Sequence, residues 1–203
     1  MTDESTDNWE LVAREVAYQG YFRIDRCSLR HRRFDGSWTP VIQRELFERG
    51  HAAAVLPYDP VLDRVLLVEQ FRVGAIEAPG TPWLLELVAG IIEAGESAEA
   101  VARREAEEEA GIAVAELAPI CEYLVSPGGT SERTSLFVGR ADLGDAGGIH
   151  GLADEHEDIR VHTFPADTAI ELADGGRANN AAAQIALNWF ARHHARLREQ
   201  WRQ

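Results

Sequence analysis

The sequence predicts an α+β layered domain with a small N-terminal β subdomain. Three observations lead there. The predicted elements run strands, one helix, more strands and then two helices, not the regular strand–helix alternation of a parallel α/β fold. The residue pattern changes near His51, from arginine-rich alternating segments to compact apolar runs. The chain has 203 residues, 45% hydrophobic and 27% charged, enough for one sizeable core and a small appendage. The expected division is 1–50 and 51–203.

Residues 1–8 are acidic and lack an apolar stretch, so they read as a frayed tail and not as a secretory signal. Residues 21–26 alternate apolar and polar side chains, as a half-buried strand does. Asp35-Gly36 signals a hairpin, and residues 41–47 resume the strand character. Residues 52–57 read as a buried strand, 58–60 as a turn and 64–72 as a further strand. Pro79-Gly80 breaks the chain before a strand at 83–88, and a glycine-punctuated loop follows at 90–95. Ser97 is placed to cap a helix with Glu99 in its first turn, and Gly111 to stop it after Ala110. Strands are expected at 116–125, 134–138 and 159–164, and helices at 166–173 and 180–201. His193 and His194, on the last helix, read as solvated.

Composition narrows the function. A net charge of −14 argues against nucleic acid, whose binding rests on neutralising phosphates. No run of 18 apolar residues exists, so no membrane helix is expected. All 20 basic residues are arginines. Schiff-base chemistry and a P-loop lysine are therefore excluded, and phosphate recognition falls to arginine, backbone amides or a metal. Cys27 and Cys121 lack zinc-site spacing and read as two buried, reduced thiols of a cytoplasmic protein. Arg23, Arg26, Arg30, Arg32, Arg33, Arg44 and Arg49 make the N-terminal segment basic within an acidic chain. A solvated sheet face, an interface with a sister chain and recognition of an anionic ligand all remain open there.

The segment that carries chemistry runs from Gly90 to Ile112: Gly90, five residues, Glu96, seven residues, then Arg104-Glu105-Ala106-Glu107-Glu108-Glu109-Ala110-Gly111-Ile112. Side chains three and four apart on a helix are neighbours, so Glu105, Glu108 and Glu109 share one face near its C-terminus. There they repel one another and the negative end of the helix dipole. Ala98, Val101 and Ala102 form an apolar stripe leading into that face. Clustered carboxylate oxygens suit Mg2+ or Mn2+, and Mg2+ also takes waters and substrate phosphates. Arg104 can pair with Glu96 or Glu93 and hold the loop on the helix. A solvated acidic helix is the alternative, but it would not fix seven identities at these spacings.

The segment resembles the Nudix box, G-x5-E-x7-R-E-U-x-E-E-x-G-U with U aliphatic, at every position. The resemblance implies the Nudix fold, a mixed β-sheet sandwiched between helices, and hydrolysis of a nucleoside diphosphate linked to another group. Pro127, sixteen residues after Gly111, resembles the marker of the ADP-ribose pyrophosphatase subfamily. The segments 51–57, 83–90, 148–155 and 179–182 also resemble its bacterial members. ADP-ribose is therefore the implied substrate, with Mg2+ as cofactor, Mn2+ as a substitute, and a homodimer with exchanged N-terminal strands.

By this resemblance Glu105, Glu108, Glu109, Glu157 and the carbonyl of Ala89 are metal ligands, and Glu155 is the general base. Tyr21, Phe22, Arg44 and Glu45 would hold the adenine, giving the N-terminal subdomain its role in recognition and dimerisation. Arg49 and Arg72 would contact the diphosphate, and Ser126, Pro127, Gly128 and Glu132 the terminal ribose. Gly90, Glu96, Arg104 and Gly111 are structural members of the box. Two departures stand out. Tyr21 occupies a position where phenylalanine resembles the family better, and Ala106 is small for an aliphatic site, which should loosen packing slightly. Residue by residue, Arg49 and Arg72 also read as ion-pair partners, Tyr21 and Phe22 as strand core, and Glu155 and Glu157 as exposed loop acids. His156 reads as a neutral loop residue. Gly147, Gly148 and Gly151 would let the 144–157 loop close over bound substrate. The rival readings are the same chemistry on GDP-mannose, a reduced dinucleotide or a diadenosine polyphosphate, a non-catalytic ADP-ribose sensor, and a calcium-binding protein. The last lacks any D-x-D-x-D-G loop.

Overall fold

The computed structural model describes residues 8–152 and 156–202. They fall into two compact units, one reaching His51 and taking in Leu124–Arg133, the other formed by Ala52–Tyr123 and the chain from Thr134 onward. Among the described residues no helix is long and apolar enough to cross a membrane.

The first unit is a three-stranded antiparallel sheet in the order β1 (Trp9–Gln19), β2 (Arg23–His31), β3 (Ile42–Glu48). Tyr21 and Phe22 lie in the turn between β1 and β2, so the expected strand begins two residues late. Strand β1 breaks strict alternation, because its register with β2 shifts at two places, and every residue of it is exposed. The Asp35-Gly36 turn is present, with Gly36 at φ +83° and Asp35 Oδ1 accepting the Ser37 amide at 2.8 Å. Leu124–Arg133 joins this unit through hydrogen bonds from the Phe47 amide to the Gly129 carbonyl (2.8 Å) and from Ser131 Oγ to Glu48 (2.6 Å).

The second unit is a mixed sheet in the order β10 (Gly148–His150), β11 (Ile159–Pro165), β5 (Arg64–Phe71), β4 (Ala52–Asp59), β9 (Arg133–Ala141), β8 (Val114–Leu124). Strands β4 and β9 are parallel; the other registered pairs are antiparallel. Strand β4 is buried almost throughout, which explains its nearly continuous apolar sequence. Alternate residues serve opposite faces. Ala54, Leu56 and Tyr58 pack with Leu187 and Phe190 on one side, while Ala53 and Val55 pack with Val101, Ala102 and Ala106 on the other. The helices involved are α1 (Ala98–Ala110) on the second side, and α2 (Ala166–Asp174) with α3 (Ala181–Trp201) on the first.

Strands β4 and β5 pair only at Tyr58–Asp59 and then diverge. The expected strand at 83–88 is two strands, β6 (Trp83–Glu86) and β7 (Val88–Ile91), which pair with β5 and β4 respectively. Ala89 and Gly90 are thereby laid against α1. Ala106, small for its site, is fully buried and packs within this apolar layer.

Two expectations are corrected. Cys121 is exposed, since it lies on edge strand β8; only Cys27 is buried. His194 is not solvated. Its Nε2 donates to Asp63 Oδ1 at 2.6 Å, and its ring packs on Tyr58 and Phe190. His193 stacks on Trp189. Asp63, at φ +57° in the β4–β5 turn, also accepts Tyr58 Oη at 2.8 Å and pairs with Arg198 at 2.7 Å. Burial pushes the Asp63 carboxyl up, but hydrogen bonds from His194 and Tyr58 and the Arg198 charge outweigh it and hold it below the ordinary value. Asp63→Asn should therefore cost about 2 kcal/mol at pH 7 in urea unfolding. Because the shift is downward, the Asp63 contribution is present above the ordinary carboxyl range and lost as pH falls through the lowered folded-state value.

Candidate active site

Helix α1 starts as expected. Ser97 accepts the Ala100 amide at 3.2 Å, and Glu99 lies in the first turn. It ends at Gly111, whose left-handed φ of 64° lets the Gly111 and Ile112 amides reach the last carbonyls. Packing of Val101, Ala102, Ala106 and Ala110 fixes the helix rotation, and this places Glu109 on the buried side.

Glu109 is only 4% exposed. Its Oε2 accepts the Ala89 amide at 3.0 Å. Burial, with the Ala89 hydrogen bond opposing it and the charges of Glu105 and Glu157 adding to it, pushes the carboxyl up to about 8; Arg72 is a nearby cation. Glu105 is likewise raised, first by burial, against the pull of Arg104, with Glu108 and Glu157 contributing repulsion. Three carboxylates from two segments of chain, Glu105, Glu109 and Glu157, thus share one electrostatic neighbourhood.

The glycine at the head of the box has a steric reason. A Cβ on Gly90 would stand 1.7 Å from Glu105 Oε1, so the carboxylate lies on bare backbone. Arg104 organises the remainder. Its Nη1 donates to Glu105 Oε1 (2.8 Å) and Glu108 Oε2 (3.0 Å), while Nε and Nη2 lie 3.4 Å from Glu96. Burial opposes the Arg104 charge, but these three acids outweigh it and raise its pKa. Glu96 also accepts the Glu93 amide at 3.1 Å, which lowers its carboxyl and folds the loop back on itself. Of the two loop acids expected to meet Arg104, Glu96 makes the pair. Glu108 is the most exposed of the three box carboxylates and is held by Arg104.

Arg72 forms a close pair with Glu86, through Nε at 2.9 Å and Nη2 at 2.8 Å. The neck of the 144–157 loop is clasped by two bonds: the Glu157 amide to the Leu152 carbonyl (3.2 Å), and the Leu152 amide to Glu157 Oε2 (3.1 Å). Within this loop residues 148–150 form β10, an element that three residues of sequence did not signal. Glu155 lies outside the described residues.

The other expected contacts belong to the N-terminal unit. Arg49 lies 3.6 Å from Glu132 and stacks its guanidinium 5.4 Å from the Phe22 ring centre. Phe22 meets Tyr21 and Phe47 edge to face, and Tyr21 is almost fully exposed. Arg44 and Glu45 are exposed neighbours on β3, opposite Cys27 and Arg26 of β2. The Ser126 carbonyl accepts the Gly129 and Thr130 amides, both at 3.0 Å, and closes an exposed turn at Pro127 and Gly128; Glu132 is buried.

Among the described residues no three acidic, cysteine or histidine side chains form a ready-made ligand cage. The donor set nevertheless fits a hard divalent cation. Mg2+ needs only one or two carboxylates beside waters and phosphate oxygens. Here mutual repulsion between half-buried acids is what a 2+ charge would relieve. Sequence reasoning missed the Ala89 amide on Glu109 and the Leu152–Glu157 clasp, and it read Arg72 as an ion-pair partner without naming Glu86. Sheet topology brings Ala89 to Glu109 and Glu86 to Arg72, whereas the clasp is a local loop contact.

A NUDIX domain model matches residues 48–200. ADP-ribose pyrophosphatase of Escherichia coli is 53% identical over 192 residues, covering 95% of this chain and 92% of that protein. The enzyme of the same name from Haemophilus influenzae is 43% identical, covering 98% and 93%. GDP-mannose pyrophosphatase of Salmonella arizonae is 31% identical, covering 93% and 98%. A solved structure described as an ADP compounds hydrolase superposes with TM-score 0.69 at 21% identity, covering 99% of this chain and 100% of that one, a likeness of fold. With the box, the sandwich of helices about a mixed sheet and these relatives in agreement, the chain belongs to the NUDIX family.

Proposed function

We propose that the protein is a divalent-metal-dependent hydrolase that cleaves the diphosphate of ADP-ribose to AMP and ribose 5-phosphate. The observation that carries this reading is the burial of Glu109 beside Glu105 and Glu157, an arrangement that is unfavourable without a cation. Substrate choice follows from similarity. The relatives named for ADP-ribose are closer to this chain than the one named for GDP-mannose.

Glu105, Glu109, Glu157 and the Ala89 carbonyl would hold Mg2+, or Mn2+ in its place, with Glu108 as a further ligand or support. When bound, such a cation neutralises the diphosphate and lowers the pKa of a coordinated water. Arg72, near Glu109, and Arg49 would share the charge that develops on the phosphoryl oxygens. Arg104 orients Glu105 and opposes the upward shift of its carboxyl, and Glu96 holds the box loop to Arg104. Glu155 would accept the proton from the attacking water. Tyr21, Phe22, Arg44 and Glu45 would bind the adenine, and Ser126, Pro127, Gly128 and Glu132 the terminal ribose. The same proposal includes a homodimer with exchanged N-terminal strands. Supporting it, β1 exposes Trp9, Val12, Val16 and Tyr18. Two free thiols support a cytoplasmic setting.

Incubation with ADP-ribose and Mg2+, scoring AMP by chromatography beside GDP-mannose and NADH, tests the reading; AMP formation only with the first substrate is expected. Glu155→Gln should lower kcat on the order of 10²–10⁴-fold with little change in KM. A variant with nearly normal turnover would move the base to Glu157 or Glu132.

A further inference from the structure

We propose that His150 is a positioning residue for this reaction. Seated on the C-terminal cap of α1, it fixes the neck of the loop so that the Glu157 carboxylate faces Glu105 and Glu109. The inference rests on the reading of those three acids as the cation-binding set.

Gly111 ends the ligand-bearing helix in a left-handed conformation, and capping alone accounts for a glycine there. The structure adds a second reason. A Cβ on Gly111 would stand 2.8 Å from His150 Cε1 and 3.3 Å from Nδ1, so the imidazole rests against the bare α-carbon. The ring is held there from its other side. His150 Nε2 lies 2.9 Å from the Gly147 carbonyl. A carbonyl only accepts, so Nε2 carries the proton and donates. Helix α1 and strand β10 are thus joined by a contact that neither glycine-rich loop nor helix cap could make alone.

The contact is relayed to Glu157 in one step. Gly151, next in the chain, has φ +104°, and a Cβ on it would stand 2.7 Å from Glu157 Cβ and 3.1 Å from the Glu157 carbonyl oxygen. Leu152 and Glu157 then clasp each other through the two hydrogen bonds already described. On the far side His150 pairs with Ile159, which is fully buried in the layer beneath α1. From Gly111 to Glu157 the path runs through two positions where only hydrogen fits. Within that path the His150 ring is what packs against Gly111, the cap of the ligand helix. Its removal leaves β10 tied to β11 but free to shift against α1, and with it the separation of Glu157 from Glu105 and Glu109.

The test compares wild type, His150→Ala, His150→Gln, Gly111→Ala and the His150→Ala/Gly111→Ala double variant. Three readouts are taken: urea unfolding, Mn2+ binding by electron paramagnetic resonance without substrate, and kcat and KM. His150→Ala should stay folded, bind Mn2+ about tenfold more weakly and lose roughly 10–100-fold in kcat, the range seen when a residue orienting metal ligands is removed. KM should change less than about twofold, on the view that the effect lies in the transition state. His150→Gln, whose amide can reach the Gly147 carbonyl, should recover much of the loss. Gly111→Ala should cost less stability in the His150→Ala background than in wild type, because the obstructing ring is gone. Normal kcat and Mn2+ affinity in folded His150→Ala, or strictly additive stability costs, would overturn the inference. Failure of wild type to bind Mn2+ would instead sink the cation reading, and the unfolding cycle would still judge the seat of His150.

Discussion

Replacing Glu109 with glutamine is expected to remove most metal-dependent hydrolysis while making the metal-free protein harder to unfold. The two effects have one origin. Glu109 is buried beside two other acids, and its carboxyl is raised to about 8. In the unfolded chain it titrates near the ordinary glutamate value. A raised acid destabilises the folded state increasingly as pH climbs from the unfolded to the folded value, here from roughly 4.5 to 8, and the cost is constant above that. At pH 7 the cost is about 3 kcal/mol, which glutamine removes. Activity should fall on the order of 10²–10³-fold, the scale of one lost electrostatic partner of the transition state. Urea unfolding in EDTA at pH 5 and pH 8, with AMP release in Mg2+, checks both. A destabilised variant would mean that Glu109 serves the fold and not a cation.

Gly90→Ala should nearly match that loss of activity without touching any ionisable group. The added methyl would collide with the end of Glu105, a flexible side chain that can swing away, so the fold should survive with a stability change of about 1 kcal/mol or less. The displaced carboxylate would leave both the cation and Arg104. Weak Mn2+ binding in a protein of near-normal melting temperature is the expected outcome. Full activity would show that Glu105 does not work from its position over Gly90.

The parts of this site that were legible in the sequence are those set by local periodicity. The spacing of Glu105, Glu108 and Glu109, the Ser97 cap and the Gly111 stop all follow from 3.6 residues per turn and from backbone conformation. Strand β4 was legible because a strand buried on both faces is apolar throughout. Periodicity could separate Glu109 from Glu108 only weakly. Which of them is buried depends on how Ala102 and Ala106 seat the helix against β4 and β7. Strand β1 escaped notice because Leu11, Val12 and Ala13 place apolar side chains on both faces. His194 was misjudged because its partner, Asp63, is 131 residues away in the chain and becomes a neighbour only when α3 docks on the sheet. Leu87, a break between two strands, is indistinguishable in sequence from the middle of one.

The divergence of β4 from β5 has a consequence for how the molecule breathes. Strand β4 is paired along its length, to β9 on one side and to β7 and then β5 on the other. Local openings that expose its amides to deuterium oxide therefore demand nearly global unfolding. Ala89, bonded to Glu109 and registered with Ala54, belongs to that slow-exchanging ground. Glu157 is held to Leu152 by two hydrogen bonds, and Leu152 is exposed. Amide exchange should therefore be slow at Ala54 and Ala89 and faster at the Leu152–Glu157 clasp.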